Sequence, residues 1–156
     1  IMTKHSENTE PSNSTKPVLN AVFITSYLPY GVKIYEQRYS IKYDLVGFCE
    51  DSIFAKDTLG EIFSFVPQYG IDKLILYPLS SLKENILVNG IEMNPIANLQ
   101  LQGYSMNFDD EYTLEDFING NFLNNSYGFI ELLLRWHFDV FGLIEKGLAI
   151  SKHDVK

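Results

Sequence analysis

Cysteine is almost missing from this chain, with one residue, Cys49, in 156. A single thiol excludes an intramolecular disulfide, and with only three histidines it also excludes a cysteine-rich zinc module. No two of His5, His137 and His153 have a metal-ligand spacing, and no HExxH string occurs. GxSxG, GxGxxG and GxxxxGK[ST] are missing as well, which removes sequence support for nucleophile-elbow hydrolases, dinucleotide-binding folds and P-loop NTPases. Cations are scarce: 12 lysines and arginines face 20 aspartates and glutamates, a net charge of −8, the wrong sign for general DNA coating. No apolar run reaches the roughly 18 residues that span a bilayer, and no basic start leads into a secretory core. With one thiol besides, the expected compartment is the cytoplasm.

What is present fits one globular domain, since 46% of the residues are hydrophobic and the length suits a single core. Residues 1–17 are polar and read as a flexible tail, because they cannot bury enough apolar surface to offset their ordering entropy. Residues 18–156 read as a single α+β domain: an antiparallel sheet built from hairpins, packed against a long C-terminal apolar helix and short helices.

The pattern behind that fold class is local. The apolar stretch Val18 to Tyr30 suits a short helix ended by Pro29 and Gly31. Residues 32–37 and 39–51 alternate with period two, placing Tyr39, Ile41, Tyr43 and Leu45 on one face and Ser40, Lys42 and Asp44 on the other, with Gly47 a candidate bulge. Short strands are expected near Glu61 to Val66 and Lys73 to Tyr77, each stopped by a proline. Asn89-Gly90 predicts a type I′ hairpin over about 85–93, and Asn94-Pro95 predicts N-cap and N1 of a helix stopped by Gly103. Thr113 to Asp116 has capping-box spacing for a short helix ending at Gly120. From Ser126 to Gly147 the chain reads as the long helix, with a break near His137 or Gly142 and core anchors Ile130, Leu133, Leu134, Phe138 and Phe141.

Charge is unevenly placed. Between Asn107 and Glu145 stand eight acids against Arg135 alone, a net of −7 that leaves −1 for the rest of the chain. Its densest part supplies the candidate partner-binding residues Asp109, Asp110, Glu111, Glu115 and Asp116, an anionic docking face for a basic protein. The plainer alternative is that Glu115 and Asp116 complement a helix dipole while the preceding acids solvate a loop. The run lacks the order of a calcium loop.

Over 27–43 the signal reverses: Tyr27, Tyr30, Tyr35, Tyr39 and Tyr43 interleave with Lys33, Arg38 and Lys42, Glu36 being the one acid. This hairpin is a candidate RNA contact, although alternation turns several tyrosines toward the core and no RNP-type motif is present. Cys49 reads as a small buried apolar residue, because Glu50 and Asp51 beside it disfavour a thiolate. His137 reads as a hydrogen-bonded packing histidine. A small hydrolase using Cys49 or a carboxylate pair is a further alternative. No catalytic, cofactor-binding or metal-binding residue is assigned, and no cofactor is expected.

Three strings, Tyr27 to Lys33 (YLPYGVK), Leu74 to Ser80 (LILYPLS) and His137 to Ile150 (HFDVFGLIEKGLAI), resemble those of a family of uncharacterised small proteins encoded by phages and prophages. The likeness spans about 27–150, with Val32 where the family has leucine and Tyr77 where it often has a basic residue. It implies a protein of the bacterial host cytoplasm. By analogy with small acidic phage accessory proteins, it also implies an anti-CRISPR-type inhibitor that binds a basic host protein such as an RNA-guided nuclease or its RNA complex.

Overall fold

The computed structural model describes residues 16–104 and 127–156. Asn20 opens the first helix, α1 (Ala21–Tyr27), its side chain accepting from the Phe23 amide at 3.3 Å. Pro29 tightens the chain into a 3-10 turn, Leu28–Tyr30, and Gly31 at φ 71° releases it into the sheet.

Six strands form one sheet in the order β4-β3-β2-β1-β5-β8: β1 (Lys33–Glu36), β2 (Ile41–Cys49), β3 (Ser52–Lys56), β4 (Ile62–Phe65), β5 (Asp72–Leu76) and β8 (Ala149–Ser151). The pairs are antiparallel except β5 with β8, which run parallel. The β2–β3 register shifts between Leu45 and Gly47, the expected bulge. The predicted second hairpin is present as β6 (Ile86–Val88) and β7 (Ile91–Met93), with Asn89 and Gly90 at φ 51° and 79°. Then comes α2 (Pro95–Leu101), where the Asn94 side chain accepts from the Ala97 amide at 2.9 Å.

The sheet has two unlike faces, because residues paired across strands share a side. Ile34, Leu45, Ile53, Ala55, Leu74 and Leu76 point inward and are buried with Ile24 and Tyr27 of α1 and Phe129, Leu132 and Leu133 of α3 (Tyr127–Arg135). Each large apolar side chain so enclosed contributes roughly 1.5–3 kcal/mol.

The long C-terminal helix is not formed. α3 stops at Arg135, and His137 at φ 62° turns the chain out of helical geometry. Tyr77 then captures it: its amide donates to the His137 carbonyl at 2.8 Å and its carbonyl accepts from the Asp139 amide at 2.9 Å. The buried Asp139 carboxylate accepts from the amides of Leu143 (2.7 Å) and Ile144 (2.8 Å), and Gly142 and Gly147 take positive φ before β8. Of the expected anchors, Leu133 and Phe138 are fully buried, while Ile130, Leu134 and Phe141 pack at the margin of the core. The segment is apolar because it threads through the core, not because one helix is covered on all sides.

Two strands were not foreseen. β3 follows a turn whose Glu50 adopts φ 56° without glycine, so nothing in the local sequence separates it from β2. β8 lies in the string read as the helix end, and its parallel pairing departs from the expected all-antiparallel sheet. The predicted helix at 113–120 lies outside the described residues, as does the expected tail apart from Lys16 and Pro17. Among the described residues no helix is long and apolar enough to cross a membrane.

Candidate functional site

The outward face of the sheet concentrates cations. Lys33, Asp44 and Lys56 stand side by side across β1, β2 and β3. In the next row, Tyr35 of β1 is the cross-strand neighbour of both Lys42 on β2 and Lys73 on β5. Phe54, 36% exposed, and Ile62, 64% exposed, lie on the same side toward the β4 edge. Toward β5 and β8 the face turns apolar, and Ile75, paired with Ile150, is buried. Lys33 forms an ion pair with Asp44. Among the described residues no hydrogen bond or ion pair engages the side chains of Lys42, Lys56 or Lys73.

The tyrosine and basic residues of 27–43 are dispersed by the fold. Tyr27 is fully buried, its hydroxyl donating to the Phe138 carbonyl at 2.7 Å, and burial among apolar groups beside Asp139 pushes its pKa far up. Tyr30 leans on α3, with Arg135 5.9 Å from its ring centroid, and Tyr43 packs edge-on against Phe63 on the inward face. Arg38 is held by Glu36 at 2.6 Å and lies over the exposed ring of Tyr39. Tyr35, Lys33 and Lys42 are left together on the outward face. Sequence reasoning missed Lys56 and Lys73 there; alternation within Ser52–Lys56 carried the signal, but without its own turn marker β3 could not be placed.

Groups that could do chemistry are structurally committed. Cys49 is exposed, contrary to expectation, because it closes β2 at the Glu50–Asp51 turn. Ser81 Oγ and His153 Nε2 are 2.8 Å apart, a nucleophile–base distance, but Ser81 is 2% exposed and Glu84 approaches the same nitrogen at 3.6 Å. This contact straps the C-terminal segment to the 3-10 turn Leu79–Lys83. Glu36 and Asp72 are cross-strand partners on the inward side, both buried, a carboxylate pair invisible in sequence. Glu36 accepts from the Tyr39 amide at 2.9 Å and Asp72 from the Gln68 amide at 2.8 Å, so each braces a turn; burial pushes the Asp72 carboxyl up. His137 Nε2 lies 2.7 Å from the Tyr30 carbonyl, the packing role expected of it, and burial lowers its pKa. Among the described residues no group of three or more His, Cys, Asp or Glu is placed to hold a metal ion.

The predicted partner-binding residues Asp109, Asp110, Glu111, Glu115 and Asp116 all lie outside the described residues. Comparison with protein-family models, curated proteins and solved structures finds no match to this chain.

Proposed function

We propose that this chain is a binding module, not an enzyme, that docks its anionic stretch on a basic host protein in the manner of a phage-encoded inhibitor. The carrying observation is charge segregation: residues 105–126 hold Asp109, Asp110, Glu111, Glu115 and Asp116 with no lysine or arginine, a net of −5 in a chain of −8. The described cations are partly spent at home, since Lys33, Arg38 and Arg135 each pair with a nearby carboxylate. The five carboxylates have no such neighbour within their own stretch. They suit a cationic groove, where complementary charge speeds encounter and selects the partner.

By analogy with small acidic phage accessory proteins, the partner class is an RNA-guided defence nuclease, whose nucleic-acid channel is positively charged. The test is binding of the full chain to such a nuclease, loaded with guide RNA and free of it, over a salt series. Changing all five carboxylates to their amides is expected to weaken binding at least about tenfold and to flatten its salt dependence. Unchanged affinity and salt slope would reject the assignment.

A further inference from the structure

We propose that the outward face of the six-stranded sheet is a docking surface for single-stranded nucleic acid, built by Lys42, Lys56 and Lys73 around Tyr35. It is independent of the anionic stretch, with which it shares no residue.

A solvated sheet face ordinarily samples the composition of the surface around it. Outside residues 107–145 the chain nets only −1, so that sampling favours neither sign. This face favours one, aligning Lys33, Lys42, Lys56 and Lys73 against Asp44 alone. Asp44 is taken by Lys33, whereas the ammonium groups of Lys42, Lys56 and Lys73 carry no ion pair or hydrogen bond among the described residues. Lys42 and Lys73 stand two strand spacings apart with Tyr35 between them, and Lys56 lies one strand over from Lys42 in the adjoining row, so that like charges gather on one face and repel one another. An anion placed across the rows relieves that repulsion.

Nucleic acid is favoured over an acidic peptide by the aromatic between the cations. Tyr35 stands between Lys42 and Lys73 in one cross-strand row, and its hydroxyl is steadied by Ser40 Oγ at 3.1 Å. A ring flanked by ammonium groups stacks a base while its neighbours meet the adjoining phosphates. Phe54 lies on the same face two strands over from Tyr35, on β3 beyond the Lys33–Asp44–Lys56 row, and offers a second exposed ring. A duplex suits the face less well, because its bases are not free to stack.

The test is fluorescence anisotropy of the full chain with a labelled single-stranded RNA of about 12 nucleotides, at about 50 and about 200 mM salt. Binding is expected at the lower salt. The combined Lys42→Gln, Lys56→Gln, Lys73→Gln variant should weaken it at least about tenfold and cut the slope of log affinity against log salt by about 2, at roughly 0.7 per phosphate contact. The corresponding arginine variant should retain binding, Tyr35→Leu should lose about fivefold or more, and Lys83→Gln, away from the face, should change nothing. Should the triple variant unfold by circular dichroism, the exposed single change Lys42→Gln is read instead, with an expected loss of about threefold. Absence of binding at low salt, the combined Lys42→Gln, Lys56→Gln, Lys73→Gln variant binding as tightly as the parent, or displacement of the RNA by poly-glutamate at equal charge would each overturn the proposal.

Discussion

The Tyr27 hydroxyl donates to the Phe138 carbonyl at 2.7 Å across 111 residues of chain, and the same oxygen accepts from the Val140 amide at 3.3 Å. His137 meets the Tyr30 carbonyl beside it, and Tyr77 exchanges main-chain hydrogen bonds with His137 and Asp139. The Leu74 amide in turn donates to the Leu148 carbonyl at 3.1 Å. The segments Tyr27 to Lys33, Leu74 to Ser80 and His137 to Ile150 therefore converge on one buried junction. His137 to Ile150 is a packing signature whose polar members satisfy main-chain groups that the broken helix leaves open.

Tyr27→Phe removes a buried hydroxyl and leaves the Phe138 carbonyl and the Val140 amide only their mutual hydrogen bond at 3.0 Å, so it is expected to cost about 0.5–1.5 kcal/mol in urea unfolding. Tyr39→Phe, at a ring 72% exposed, should stay within about 0.5 kcal/mol of the parent. Equal effects at the two positions would refute the junction.

Asp139→Ala deletes the acceptor for the Leu143 and Ile144 amides in a site only 6% exposed. A loss of at least about 2 kcal/mol is expected, for two buried donors are left unmet. Native-state hydrogen exchange should quicken first at those two amides.

Burial lowers the His137 pKa, with Lys152 adding to the effect and the Tyr30 carbonyl opposing it. Because the folded state then binds fewer protons than the unfolded one, stability present above the ordinary histidine value is lost as pH falls toward the folded value. Melting temperature should drop between about pH 7 and about pH 5. His137→Asn, which tolerates the positive φ, should flatten that drop.

At Asp72 the sign is opposite. Burial raises its carboxyl, so the folded state holds its proton longer and stability falls as pH rises from the ordinary aspartate value through the folded one. Asp72→Asn keeps an acceptor for the Gln68 amide and has no charge to bury. Its stability relative to the parent should rise on going from about pH 3 to about pH 7; a constant difference would contradict the shift.

Cys49 should react with a thiol reagent in the folded protein at a rate close to that of the unfolded chain, since it is exposed at a turn. Cys49→Ser is expected to change stability by less than about 0.5 kcal/mol.

The α+β class, α1, the first hairpin with its Gly47 bulge, the Asn89-Gly90 turn and the Asn94 cap were all legible from residue order, because each is decided within a few residues by φ preference, capping or alternation. The anionic concentration at 105–126 is likewise a property of composition. Tertiary contact alone decided the rest. A helical pattern at 136–147 yields to Tyr77, which offers main-chain partners that a helix there would forgo. Register between strands far apart in sequence sets Tyr35 between Lys42 and Lys73 and buries Glu36 against Asp72. Local periodicity says which side of a strand a residue takes; only pairing of the strands says whose side chain stands next to it.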